Sequence, residues 1–319
     1  MIPSLIQISI KAVLESFILA AIGYFLVKKN VLKDAGLDAL SRMVVELTLP
    51  LLIFCQLMQE FRFSAYPDWW IFPLMSIAIT VIGTAAGLAA VGFMKRGREY
   101  KMQFTSLVAF QNSGYLPLAL IVTLLPREQS GQMLIYLFLF LMGFNLVMWS
   151  VGSYMLNFST EKKFEMGTVF SPPVIATLVS LLLVFFGLNS VFPDFVIRPL
   201  RMVGNCTLPL AMFVVGGSIA EIRLSRIDKK AMVLLNLVKI VILPSLGICL
   251  ALFFNIPKLI GLLLVMQLAM PPATSLSVIA RHYKKEDILI GQGIFFGHLA
   301  ALVTLPLFLS LYFALVMIK

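Results

Sequence analysis

Apolar residues run along this chain in long stretches, each closed by charged residues or by Pro and Gly. Read against that punctuation, the runs fall at 5–27, 37–58, 69–94, 102–125, 132–157, 169–188, 196–219, 231–254, 259–280 and 288–317. A bilayer crossing takes about 20 predominantly apolar residues. The pattern therefore predicts ten transmembrane helices joined by short loops, with no stretch left for a separate aqueous domain. The first run follows no basic segment and continues past signal-peptide length to Lys28-Lys29, so it is read as a retained helix.

Composition agrees with that reading. Of the 319 residues 60% are hydrophobic and 13% charged, and the mean hydropathy is +0.99. Soluble domains run at about 45–50% apolar and about 25% charged. A soluble enzyme, a nucleic-acid-binding domain and a disordered chain are excluded as classes. The net charge of +10 is explained by placement. Loops after runs 1, 3, 5, 7 and 9 hold 16 Lys and Arg, against 5 on the opposite side. The positive-inside rule then puts the basic loops in the cytoplasm and both termini outside, as in a multi-pass protein of the plasma (bacterial inner) membrane. The basic excess also attracts anionic lipid, and nucleic acid drops out as a partner. Cys55, Cys206 and Cys249 all lie in apolar runs; an odd number of buried thiols reads as small hydrophobes, not a disulfide framework.

The chain repeats itself. Arg42–Phe54 (RMVVELTLPLLIF) and Arg201–Phe213 (RMVGNCTLPLAMF) share eight of thirteen residues at an offset of 159. The offset sets run 2 opposite run 7, so the repeating unit is five helices. Five is odd, so the second unit enters the membrane from the other side. Inverted repeats of this kind are a hallmark of secondary transporters. The predicted organisation is a first five-helix unit at 1–157, a short cytoplasmic linker at 158–168 and an inverted second unit at 169–319.

The same offset points to a site. Run 4 is interrupted by Gln111-Asn112-Ser113-Gly114-Tyr115-Leu116-Pro117, and adding 159 to Asn112 lands on Pro271 in Ala269-Met270-Pro271-Pro272-Ala273-Thr274-Ser275 of run 9. Proline removes a backbone donor and clashes with the preceding turn, and lipid cannot satisfy the groups it frees. Pro117, Pro271 and Pro272 are thus predicted helix breaks facing protein or a water-filled cavity. Half-helices starting near Gly114 and Pro272 would aim N–H groups at an anion such as a carboxylate. Asn112, Ser113, Thr274 and Ser275 add neutral donors, and Gly114, Tyr115 and Ala273 complete the expected substrate-binding set.

Charges within membrane runs cost at least about 2.5–3.5 kcal/mol at mid-bilayer and are functional candidates by default. Lys11 and Glu15, four apart, suit a pair on one helix face. Glu46, one turn before Pro50, reads as a proton-coupling carboxylate or a partner of Arg42. Lys239 either faces an anionic substrate or neutralises Glu46 or Glu15. His298 reads as a proton carrier or a hydrogen-bonded packing residue. Gly83-Thr84-Ala85-Ala86-Gly87 is a GxxxG that suits close helix packing within the chain; a homodimer is left open.

In these pieces the chain resembles the auxin efflux carrier family of the bile acid/auxin carrier superfamily, whose bacterial members include malonate and malate permeases. The resemblance rests on Asn112-Ser113-Gly114-Tyr115-Leu116-Pro117, on Met270-Pro271-Pro272-Ala273 leading to Arg281-His282-Tyr283, and on Thr48-Leu49-Pro50. Pro209-Leu210-Ala211-Met212-Phe213 with Gly216-Gly217, and Ser171-Pro172-Pro173, add to it. It implies an all-α fold of ten helices in two inverted halves, with helices 4 and 9 broken and crossing. It also implies a scaffold of spans 1, 2, 6 and 7, against which spans 3–5 and 8–10 move as an elevator. In plant relatives an asparagine at the position of Asn112 engages a substrate carboxylate. Their long loop between spans 5 and 6 is here only about 11 residues (158–168), and a small carboxylate fits better than auxin.

The expected activity is secondary active transport or uniport of a small organic anion, with no catalytic or metal site and no cofactor. Whether H+ or Na+ is coupled is not legible. The competing reading is a metabolite-binding receptor or channel without alternating access. An intramembrane enzyme is disfavoured, because the chain lacks HExxH, GxSxG and paired catalytic carboxylates in adjacent runs.

Overall fold

The computed structural model describes residues 2–92, 94–156, 170–222, 224–282 and 288–317. The regular structure of the described residues is helical, apart from a single isolated β-bridge between Gln111 and Pro272. Seven helices are long and apolar enough to cross a membrane: Ile6–Lys28, Asp34–Glu60, Ile71–Gly92, Arg127–Leu156, Asp194–Glu221, Lys229–Phe253 and Ile288–Met317. These coincide with seven of the ten expected runs. The other three differ in form. Run 6 is the shorter helix Pro172–Phe185, and runs 4 and 9 are each split in two. The linker at 158–168 lies outside the described residues.

Run 4 consists of α5 (Arg98–Ala109) and α6 (Tyr115–Leu124); run 9 consists of α14 (Lys258–Ala269) and α15 (Ser275–His282). Around them stand α1 (Ile2–Lys28), α2 (Asp34–Met43) with α3 (Leu49–Glu60), α4 (Ile71–Gly92) and α7 (Arg127–Val147) with α8 (Ser153–Leu156). The second half contributes α9 (Pro172–Phe185), α10 (Asp194–Asn205) with α11 (Thr207–Glu221), α12 (Lys229–Asn236) with α13 (Leu243–Phe253), and α16 (Ile288–Tyr312). The most extensive packing joins α1 to α11; α4 lies on α5 and α7 and α3 on α9, while α13 and α16 lie on α14.

Close approach explains several glycines. A Cβ on Gly83 would stand 2.9 Å from the Ala109 Cα, and one on Gly87 would stand 3.0 Å from the Thr105 Cα. The GxxxG of run 3 is therefore the seat of α5 within the chain. Polarity is inverted relative to a soluble fold. Ile18, Phe25, Phe185 and Val303 are more than half exposed, whereas Gln103, Gln111, Gln267, Gln292 and Lys239 are buried. An apolar exterior of this extent has lipid as its solvent.

Candidate functional site

The two breaks meet. Helix α5 ends at Ala109 and α14 at Ala269, and the extended segments that follow run antiparallel against each other. The Asn112 N–H donates to the Pro271 carbonyl at 2.8 Å, and the Ala273 N–H donates to the Phe110 carbonyl at 3.0 Å. Each break thus supplies partners for backbone groups that the other has freed. The half-helices resume at Tyr115 and Ser275. The second start is three residues later than the Pro272 expected from sequence, because Pro271, Pro272 and Ala273 are taken up by the pairing.

Proline chemistry is visible in detail. Pro117 falls in the first turn of α6, where its missing N–H disturbs no helical bond of its own. The break expected at Pro117 instead occupies Phe110–Gly114, just before it. In a continuous helix residue 117 would donate to the Ser113 carbonyl; here the Gln267 side-chain amide does so at 3.1 Å. Gln267 was not among the residues singled out by sequence, and a lone glutamine in the apolar run before Met270-Pro271-Pro272 was the available signal.

Asn112 and Ser113 are buried, as are Pro271, Pro272, Ala273 and Thr274. Gly114, Tyr115 and Ser275 are partly exposed. Tyr115 packs on Val44, Ala211 and Val214, touching the runs 2 and 7 that flank the crossing. The Ser275 hydroxyl lies 3.7 Å from the Met148 sulfur. Gly114 offers no side chain to cap α6, so the first-turn N–H groups of α6 have no side-chain acceptor there.

His298 joins this group. Its Nδ1–H donates to the Ile294 carbonyl at 2.8 Å, which leaves Nε2 as the acceptor for the Asn112 amide at 3.4 Å. Neighbouring Gly297 lets α16 lie against the prolines: a Cβ there would stand 2.5 Å from Pro272 Cδ. Lys239 is fully buried, and its ammonium donates to the Val108 carbonyl at 2.8 Å, at the carbonyl end of α5. A cation there complements the negative end of a helix dipole. Lys239 therefore does not neutralise Glu46 or Glu15, as the sequence left open. Glu15 pairs instead with Lys11 at 3.8 Å on an exposed face. Glu46 and Arg42 are exposed and form no ion pair among the described residues.

Several polar atoms at the crossing stay unsatisfied: both side-chain polar atoms of Gln111, the Ser113 hydroxyl and the Gln267 carbonyl oxygen. Unpaired buried polar groups cost about 1–3 kcal/mol each, so a cluster of them is a candidate functional site.

Comparison with known proteins agrees with this architecture. The family model described as membrane transport protein matches residues 8–168 and 158–309, nearly the whole chain. An uncharacterised transporter of Methanocaldococcus jannaschii is 23% identical over 306 residues, covering 94% of this chain and 98% of that protein. An uncharacterised transporter of Methanothermobacter thermautotrophicus is 24% identical over 306 residues, with 94% and 97% covered. Protein PIN-LIKES 6 of Arabidopsis thaliana is 28% identical over 122 residues, 37% of this chain and 28% of that protein. Its apolar exterior, its helices of crossing length and a family match over both halves make this an integral multi-pass membrane protein that belongs to the membrane transport protein family, as the auxin-carrier-like motifs had implied.

Proposed function

We propose that the crossing of the two broken helices is the substrate site of a secondary transporter or uniporter for small organic anions, carboxylates above all. The observation that carries the reading is the mutual pairing of two helix breaks that leaves Gln111, Ser113 and Gln267 atoms unsatisfied in the same place. In this reading Asn112 and Ser113 donate to one carboxylate oxygen, the α6 and α15 N-termini favour the negative charge, and His298 holds the Asn112 amide in position.

The reading includes ten crossings in two inverted five-helix halves. Asn112 and Pro271 are repeat mates at the offset of 159 (271 − 112), and they touch. Repeat mates touch only where a pseudo-two-fold axis passes between them, which supports an inverted pair. The matched packing of α1 on α11 and of α9 on α3 supports it too, since those pairs exchange under the same operation. The runs of α1, α3, α9 and α11 then form a scaffold, past which the rest carries the site as an elevator, with the basic loops in the cytoplasm. Tyr115, resting on Val44 and Val214, sits at the sliding surface.

Energetics constrain the direction. One negative charge leaving an inside-negative cell gains about 2.3 kcal/mol per 100 mV, so export needs no coupling ion. Import of a dianion needs one; in this reading Glu46, exposed and without an ion pair among the described residues, is the coupling carboxylate. The test is uptake and counterflow of labelled mono- and dicarboxylates in proteoliposomes, wild type beside Asn112→Ala. Saturable flux that Asn112→Ala abolishes is expected. Flux indifferent to that change would move the site away from the crossing, and unitary currents would mark a channel.

A further inference from the structure

A second opening lies at the far end of α5 from the crossing, one helix length or about 18 Å away. It is an open cleft of about 790 Å3, formed where the segment before α5, the start of α12 and the first described turn of α16 come together. Four cations line it, Arg96, Arg226, Lys229 and Lys230, against two acids, Glu99 and Asp228.

Asp228 is already committed. Its carboxylate accepts from Arg96 at 2.7 Å, from the Tyr100 hydroxyl at 2.9 Å and from the Ala231 N–H at 3.1 Å, capping α12. Burial works to raise its proton affinity, but the Ala231 N–H, Tyr100 and Arg96 together outweigh burial and hold the carboxyl below its ordinary value. Tyr100 in turn is pushed up to about 12, by burial and then by this carboxylate, so it stays a donor. The pair of Arg96 and Asp228 is therefore neutral and structural. What remains is Arg226, Lys229 and Lys230 against Glu99.

Those three cations are exposed, form no ion pair among the described residues, and lie at the start of α12, Lys229 and Lys230 in its first turn and Arg226 on the loop before it. Buried Gln292 donates to the Ser225 carbonyl at 2.6 Å, and Asp228 anchors the other end. Three like charges within five positions at a clamped helix start repel one another, and an anion between them offsets that repulsion. A guanidinium fork beside two ammoniums is the donor set that shares the several oxygens of a phosphate. We propose that this cavity binds a phosphate-bearing anion through Arg226, Lys229 and Lys230, either a lipid headgroup or a free phosphate compound. Basic pockets between membrane helices take anionic headgroups in just this way. The site is separate from the crossing and does not depend on what the crossing carries.

The test is the thermal midpoint of the purified full-length protein in detergent. It is titrated separately with pyrophosphate and with dihexanoyl phosphatidic acid, against sodium chloride of equal ionic strength. A saturable rise above the salt control is expected. A rise with both probes assigns a free phosphate compound; a rise with the lipid alone assigns a headgroup. Lys229→Gln/Lys230→Gln should weaken binding at least about tenfold, since each charged hydrogen bond is worth about a factor of ten. Lys229→Arg/Lys230→Arg should retain it. Arg226 has a left-handed backbone (φ 48°), which glycine accepts freely, so Arg226→Gly removes a cation without backbone conflict and provides a second, independent loss. No rise above the salt control, or an equal rise in all three variants, overturns the proposal.

Discussion

Prolines interrupt this chain in two kinds of place, and the outcomes differ. At Thr48-Leu49-Pro50 the helix absorbs the missing donor by one slip of register: Val44–Thr48 form a π turn, and the Leu49 N–H reaches back to the Val44 carbonyl. At Thr207-Leu208-Pro209 a tight turn suffices, with the Cys206 N–H bonded to the Val203 carbonyl. Both helices continue in line, and both expose Glu46, Met202 and Asn205 on an outer face. At the crossing the backbone leaves the helix altogether. The difference is partnership. A break buried in a membrane protein persists only where something other than lipid takes up the freed groups, and here each break serves the other, with Gln267 completing the set.

The largest test of that contrast is Gly297→Leu. Side-chain atoms would meet the Pro272 ring, which cannot rotate away, and overpacking of this kind costs about 3 kcal/mol at its upper end. A large fall in the thermal midpoint together with loss of flux is expected; an unchanged midpoint would mean that the crossing yields as readily as the simple interruptions do.

Next in size is Gln267→Leu, which strips the Ser113 carbonyl of its donor at a cost of about 2 kcal/mol. Combined with Pro117→Ala, which restores an N–H at position 117, the loss should shrink by half or more. Strict additivity in that double-mutant cycle would show that the Gln267 amide does not stand in for the proline's missing donor. Smaller again is Pro50→Ala, expected to change stability by less than about 1 kcal/mol in either direction because the register slip already satisfies the turn. A loss equal to that of Gln267→Leu would erase the distinction between the two kinds of interruption.

The smallest effect concerns the loop end. The Asp228 carboxyl lies below its ordinary value in the folded protein, so its contribution is present above the ordinary aspartate range and is lost as pH falls through the depressed value. For an ion pair that water reaches, that contribution is about 0–1 kcal/mol. The midpoint of Asp228→Asn should therefore sit slightly below wild type at neutral pH and converge with it in acid; a gap that widened in acid would contradict the assignment.

Much of this was legible in the residues. Hydropathy and punctuation placed the seven helices of crossing length to within a turn or two, and Pro117, Pro271 and Pro272 marked both breaks to within a turn, because proline acts on its own backbone. What was hidden depends on partners far along the chain. Gln267 reads as one polar residue in an apolar run until it is seen against Ser113, 154 positions away. Lys239 invites a search for a carboxylate, yet its partner is the Val108 carbonyl, 131 positions away, which no residue type could announce. The exposure of Glu46 and the meeting of His298 with Asn112 are likewise products of assembly.

The pairing of Asn112 with Pro271 also sets a clock. A ribosome adding about 5–20 residues per second needs roughly 8 to 30 seconds to pass from the Asn112 N–H to the carbonyl that receives it, 159 residues later. Until then the Asn112 amide and the Phe110 carbonyl wait for partners not yet synthesised, so the crossing can close only once Ala273 has been made.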